Sequence, residues 1–95
     1  MVYEPRECIP TIIGGGRVLL YSRIDSRHRA RHGVEWGPYG LAICEEKGGP
    51  GIFLFRCEDD WMPVRDSWHT TVEEAKRQAE AEWEGISSTW ETPPL

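Results

Sequence analysis

The part of the sequence with the most obvious chemistry is a run of basic side chains. Arginines and histidines crowd one glycine-punctuated segment: Arg23, Arg27, His28, Arg29, Arg31 and His32. A guanidinium group can donate two parallel hydrogen bonds to a phosphate or carboxylate, and Trp36, close behind, could stack on a nucleobase. We therefore expect segment 23–36 to be an anion- or partner-binding loop. The alternative is a solvated loop that docks on the protein's own acidic helix.

The net charge limits what such a loop could bind. The segment from Arg23 to His32 holds four arginines and one aspartate, a net charge of +3. Because the whole chain has a net charge of −5, the remaining residues have a net charge of −8. A general nucleic-acid binder needs a broad basic surface that displaces counterions. An acidic body would repel a polyanion and attract the basic loop, so the composition disfavours nucleic acid as the partner.

Residues that could perform catalysis or bind a metal are scattered. His69 could act as a general base, but no nucleophile accompanies it in the sequence, so a structural histidine is the favoured interpretation. His28 and His32 are four residues apart without the helix that would align them as metal ligands. The cysteines lie too far apart for a disulfide framework or a paired zinc site: Cys8, Cys44 and Cys57. We expect no enzyme, no metal and no cofactor.

One amphipathic helix, over residues 71–84, is the clearest element that could position these groups. Thr71 and Glu74 fit a capping box, and Gly85 suits the left-handed residue that follows a helix. The apolar positions form one narrow stripe: Val72, Ala75, Ala79, Trp83 and Ile86. Glutamates occupy the remaining surface, and we expect three of them to form a second partner-binding face: Glu73, Glu80 and Glu84.

Alternating and apolar runs predict strands over 17–24, 39–45, 52–57 and 61–68. In the first strand the alternation assigns Val18, Leu20 and Ile24 to one face. Pro63 predicts that the last strand is an edge, because proline cannot donate to a ladder.

The two middle strands should form a hairpin. Pro50 and Gly51 suit the centre of a type II turn. That turn would place Glu45 opposite Arg56, and Cys44 opposite Cys57.

These elements predict an α+β domain in the order β-β-β-β-α, with a small antiparallel sheet of about four strands and one C-terminal amphipathic helix packed on one face. We assign residues 1–16 to a flexible lead-in, 17–90 to the single domain and 91–95 to a tail. No 18-residue apolar run and no leader sequence are present, so we expect a cytoplasmic protein without a membrane partner.

The C-terminal third resembles a known group of sequences. The matching features are Trp61, Asp66-Ser67-Trp68-His69 and the T-x-E-E-A-x-x-Q-A-E pattern that begins at Thr71. They resemble a family of small, uncharacterised bacterial proteins, which implies a bacterial origin and brings no activity. The order of three strands and a threonine-capped helix is more weakly similar to HicB-like antitoxin domains, which implies a β-β-β-α unit and partner binding.

The sequence thus favours a non-catalytic protein-interaction domain of antitoxin, immunity or adaptor type, with another protein as its partner. The alternative is an RNA- or nucleotide-binding module that uses the loop 23–36.

Overall fold

A computed structural model describes residues 9–34 and 37–94. In chain order, the strands are β1 (Ile12–Ile13), β2 (Gly16–Arg23), β3 (Arg29–Ala30), β4 (Gly40–Glu45), β5 (Ile52–Cys57), β6 (Pro63–His69) and β7 (Trp83–Glu84). Helix α1 (Val72–Glu82) precedes β7, and a short 3-10 helix (Ile86–Ser88) follows it. The predicted α+β class with one C-terminal helix on a small antiparallel sheet is confirmed.

The main sheet has five strands in the described chain, where about four were predicted. Its order is β1-β2-β4-β5-β6, and every neighbouring pair is antiparallel. The extra strand is β1, which lies in the predicted lead-in of residues 1–16; positions 1–8 of that lead-in lie outside the described residues. Ile9 and Ile13 are buried in the core, so the described part of the lead-in packs on the sheet.

The predicted assignment of side chains to the two faces of the first strand is wrong. A β-bulge between Val18 and Leu20 shifts the register against β4. Val18 therefore packs in one core cluster, whereas Leu20 and Ile24 pack in the other. An extra residue at a bulge interrupts the two-residue period on which the prediction rests.

The predicted register of the hairpin is also wrong. Cys44 lies opposite Phe53, and Cys57 lies opposite Gly40, so the two cysteines do not face each other; nor do Glu45 and Arg56. The loop between β4 and β5 is wider than a two-residue turn. Glu46 closes it, since its amide donates to the Gly51 carbonyl at 2.9 Å and its carboxylate accepts from the Gly51 amide at 3.1 Å.

A hydrophobic cluster packs against each face of the sheet. The outer cluster, on the face away from α1, contains Ile9, Ile13, Val18, Tyr21, Ala42, Cys44, Phe55, Cys57 and Trp61. The helix-side cluster contains Leu41, Ile43, Ile52, Leu54, Ala75, Ala79, Trp83 and Ile86. In the outer cluster, the buried ring of Trp61 contacts Tyr21 and Tyr39 edge-on, each with a centroid separation of 5.6 Å. A side chain at Gly40 would collide with the Trp61 ring at 2.6 Å, so glycine is needed there.

Helix α1 begins with the predicted Thr71 cap, but the Glu74 carboxylate bonds the amide of the preceding residue and not that of Thr71 itself. Thr71 Oγ1 accepts from the Glu74 amide at 3.1 Å, and the Glu74 carboxylate accepts from the amide of Thr70 at 3.0 Å. The predicted C-terminal boundary at residue 84 is wrong, because Trp83 and Glu84 leave the helix and pair with β3. Gly85 follows in the left-handed conformation, with φ of 98°. The predicted apolar stripe packs in the helix-side cluster.

Strand β6 lies at one edge of the sheet, as Pro63 predicted, and β1 lies at the other. Beyond β1, Glu91 of the predicted tail covers part of β2 through two backbone hydrogen bonds with Tyr21, of 2.8 and 2.9 Å. In residues 9–34 and 37–94, no helix has the length and apolar character that a bilayer crossing would require.

Candidate functional site

The first turn of the basic loop is held by an internal ion pair. The Asp25 carboxylate accepts hydrogen bonds from Nε and Nη2 of Arg27, both at 2.9 Å, and a third from the Arg27 amide at 3.0 Å. These bonds lower the pKa of Asp25 well below its usual range. The Arg27 guanidinium therefore already binds a carboxylate of its own loop, that of Asp25.

His28 anchors the loop in the interior. Its side chain is fully buried, and its Nδ1 accepts a hydrogen bond from the Asp25 amide at 3.1 Å. Because Nδ1 is an acceptor, the proton of the neutral ring belongs on Nε2, which lies 2.8 Å from Thr89 Oγ1. Thr89 in turn contacts buried Ser22 at 2.8 Å. Burial lowers the pKa of His28, which favours this neutral ring.

Arg31 docks the loop on α1. Its Nε donates to the Glu80 carbonyl at 3.0 Å, and its Nη2 lies 3.3 Å from the Glu80 carboxylate. Its Nη1 lies 3.9 Å from Glu84, and its amide donates to the Glu82 carbonyl at 2.9 Å. Two of the three glutamates predicted as a partner-binding face, Glu80 and Glu84, thus hold the chain's own loop.

The remaining residues of the two predicted binding surfaces do not form a common site in the described structure. Arg23 places its guanidinium carbon 5.1 Å from the centroid of the Tyr39 ring. Arg29 and His32 are exposed, and Trp36 lies outside the described residues. Glu73, the third predicted helix-face residue, is exposed on the first turn of α1. The structure therefore does not gather the predicted basic residues into one open anion site.

A polar cluster between the sheet and α1 escaped the sequence analysis. Arg56 on β5 donates through Nε and Nη2 to the Glu82 carboxylate, and through Nη1 to the Leu54 carbonyl and Ser67 Oγ, both at 3.0 Å. Burial raises the pKa of Glu82, but the hydrogen bonds from Arg56 and Gln78 outweigh it and lower the pKa overall. The lone arginine in an otherwise apolar strand was the signal that could have revealed this cluster.

His69 extends the polar cluster along β6. Its Nε2 lies 2.8 Å from Ser67 Oγ, so His69 contacts a serine of its own strand. Burial, reinforced by the nearby Arg56 charge, lowers the pKa of His69. A serine that contacts a histidine could in principle act as a nucleophile with its base.

A cavity lies beside the polar cluster, but neither Ser67 nor His69 lines it. It has a volume of about 420 Å³ and is lined by Gly33, Val34, Pro38, Arg56, Arg65, Asp66, Glu82 and Trp83. Both terminal nitrogens and Nε of Arg56 already donate to protein acceptors. Among the described residues, no group of three or more histidine, cysteine, aspartate or glutamate side chains is arranged to hold a metal ion.

Strand β6 forms one edge of the sheet, and several of its side chains are exposed. On this strand Trp68 is 51% exposed and Val64 is 50% exposed, and Met62, just before the strand, is 54% exposed. The Trp68 indole lies over Gly51 and donates to the Glu46 carboxylate at 3.0 Å, which fixes its orientation. Arg65 and Asp66 on the same strand are exposed and make no ion pair or side-chain hydrogen bond with described residues. The sequence predicted this edge, but not its exposed apolar side chains.

Comparison of the chain with protein-family models, with curated proteins and with solved structures finds no match.

Proposed function

We propose that this domain is a non-catalytic protein-interaction module that binds its partner through the edge of β6. The observation that carries the proposal is that β6 has no strand on its outer side among the described residues and leaves Val64 and Trp68 half-exposed, with half-exposed Met62 just before it. An exposed strand edge is a template for strand addition, and exposed apolar side chains beside it supply the area that makes such binding favourable. An antitoxin, immunity protein or adaptor could each use such an edge.

The basic loop and the acidic helix face support this role less well. Arg27 and Arg31 donate to the protein's own acids, and Glu80 accepts from Arg31 and from the amides of Gly85 and Ser87. A partner would have to replace those contacts before it could bind there. The same contacts weaken the RNA- or nucleotide-binding alternative, which needs the guanidinium groups of the loop to be available.

A matched pair of variants tests the proposal. Trp68→Ser removes the exposed indole from β6, whereas Ile12→Ser removes an apolar side chain of similar exposure, 54% against 51%, from the opposite edge of the sheet. Each purified variant would be checked by circular dichroism and then used as bait in extracts of the native host. We expect wild type and Ile12→Ser to retain one stoichiometric protein partner that Trp68→Ser loses.

Two outcomes would contradict the proposal. One is the absence of any stoichiometric protein with the wild-type bait. The other is equal recovery of the same partner by wild type and by a folded Trp68→Ser variant, which would place the interface elsewhere. Nucleic acid recovered with wild type in place of protein would support the basic-loop alternative.

A further inference from the structure

We infer that the partner contributes an extended strand with a specific charge order, adding antiparallel to β6 with an acidic residue opposite Arg65 and a basic residue opposite Asp66. This inference rests on the proposed function and specifies the partner of that same edge.

The usable length of the edge follows from the register of β6. From Arg65 to His69 the strand pairs one-to-one with β5, but a bulge interrupts the pairing before Arg65. A bulge twists the edge and ends regular pairing on that side. Five residues of backbone are therefore available for a regular ladder. Antiparallel addition continues the pattern of every pair in the sheet and is slightly more stable per residue than parallel addition.

The two faces of β6 define what the partner must present. Asp66 and Trp68 lie opposite Phe55 and Phe53 and so share the outer face, whereas Arg65 lies opposite Arg56 on the helix side. Residues directly opposite each other in an antiparallel pair share a face. On the outer face, the partner should therefore present a basic residue opposite Asp66 and an apolar residue opposite Trp68. On the helix side it should present an acid opposite Arg65.

The charges on this strand are not neutralised by the described fold. Arg65 and Asp66 are exposed and have no ionic partner among the described residues. Charged side chains on an edge oppose pairing with an uncharged or like-charged strand. A strand of the complementary order converts both charges into cross-strand attractions, so the same residues that reject unsuitable strands select the correct one.

Strand β6 of a second copy cannot supply that order by symmetric pairing. In a two-fold symmetric antiparallel pair, a residue meets either itself or a residue on the same face of its strand. Arg65 and Asp66 are neighbours on opposite faces, so no symmetric register places one opposite the other. A register centred on Asp66 opposes two aspartates, and one centred on Ser67 places Asp66 opposite Trp68. Symmetric pairing of β6 with β6 of a second copy therefore does not give the complementary charge order, and the strand that gives it has a different sequence from β6.

Synthetic peptides test the charge order directly. The complementary probe carries Thr-Val-Thr-Lys-Glu, which in antiparallel alignment places Lys opposite Asp66, Glu opposite Arg65 and Val opposite Trp68. The control carries Thr-Val-Thr-Glu-Lys, which has the same composition and net charge. Binding of each fluorescein-labelled peptide to the full chain would be measured by fluorescence anisotropy, with protein concentrations up to the millimolar range. We expect the complementary peptide to bind roughly tenfold more tightly, because two cross-strand attractions become two repulsions in the control.

A charge-swapped protein provides the decisive control. The double substitution Arg65→Glu with Asp66→Lys keeps the net charge and alters only exposed side chains, so the fold should be retained. We expect it to reverse the preference and bind the control peptide roughly tenfold more tightly than the complementary one. Equal affinity of the wild-type protein for both peptides, a preference that the swap does not reverse, or no binding of either peptide would overturn the inference. The proposed function would still stand if the partner protein were captured in a Trp68-dependent way.

Discussion

Arg31 and Glu80 join the basic loop to the end of α1, through a hydrogen bond from Arg31 Nε to the Glu80 carbonyl and a contact of Nη2 with the Glu80 carboxylate. The last turn of α1 contains no basic residue of its own. Arg31 therefore supplies a positive charge near the C-terminus of α1, where such a charge stabilises a helix. The Glu80 carboxylate also accepts from Ser87 and Gly85, which lowers its pKa and makes it the junction between loop, helix and C-terminal segment.

Glu80→Gln should weaken this junction. The substitution removes the charge that Arg31 and the amides of Gly85 and Ser87 share, at a cost of about 1–2 kcal/mol in the free energy of unfolding. Glu73→Gln is the matched control, because Glu73 is exposed on the same helix and should change stability by less than about 0.5 kcal/mol. Urea denaturation measures both values. Equal, small losses for the two variants would show that Glu80 does not hold the loop.

His28 should make the stability depend on pH. Its folded-state pKa is lowered, mainly by burial, whereas its unfolded pKa stays near its ordinary value of about 6.5. As pH falls below that value, the unfolded chain takes up a proton before the folded chain does, so the contribution of the neutral ring to stability is lost. His69 adds to the effect, since its pKa is also lowered.

The variant His28→Asn separates the contribution of His28 to the pH dependence of stability from that of His69. Its free energy of unfolding, measured by urea denaturation at pH 7 and pH 5, should change less between the two pH values than that of wild type. His32→Asn, which alters an exposed histidine of the same loop, should keep the wild-type dependence. An unchanged dependence in His28→Asn would contradict the buried, neutral ring.

Cys44 and Cys57 should be inert in the folded protein. Both are fully buried in the outer cluster, and burial raises the pKa of each thiol to about 12. A thiol needs to be ionised and accessible to react. In a Cys8→Ser background, iodoacetamide should modify neither cysteine under native conditions and both in 6 M guanidinium. Rapid native labelling, followed by mass spectrometry, would show that the outer cluster opens.

Gly40→Ala should destabilise the fold. The added methyl group would lie 2.6 Å from the Trp61 ring and 3.0 Å from the Ser22 carbonyl, so the aromatic cluster must shift, at a cost of about 1–3 kcal/mol. Gly37→Ala is the control, since a Cβ there has open space around it. Thermal unfolding followed by circular dichroism compares the two. A Gly40→Ala protein as stable as Gly37→Ala would refute the tight packing of Trp61.

Local signals in the sequence predicted those features that depend on neighbouring residues. The Thr71 cap, the narrow stripe of α1 and the edge position of β6 each follow from residue type and spacing. Gly85 has the predicted left-handed conformation, but it precedes the 3-10 helix and does not end α1. The errors arose where distant contacts override the local pattern. The bulge at Val18 and the wide Glu46 loop are set by pairing between strands, and α1 ends early because Trp83 pairs with Ala30 of the basic loop.

In the candidate sites, too, the sequence predicted local features but not the contacts between distant residues. The sequence identified the basic and acidic residues, but docking of Arg31 on Glu80 depends on a pairing 49 positions apart. The polar cluster around Arg56 joins a strand to a helix 26 positions away. The exposed indole of Trp68 could not be predicted either, because alternation does not reveal whether another element covers a face.

Hydrogen–deuterium exchange with the captured partner protein tests the central claim most directly. Binding through β6 would pair its free edge, so exchange of those amides in Arg65–His69 that point away from β5 should slow by roughly tenfold or more. Exchange in β1, at the opposite edge, should stay unchanged. Protection confined to the basic loop or to α1, with β6 exchanging as in the free protein, would contradict the assignment of β6 as the interaction surface.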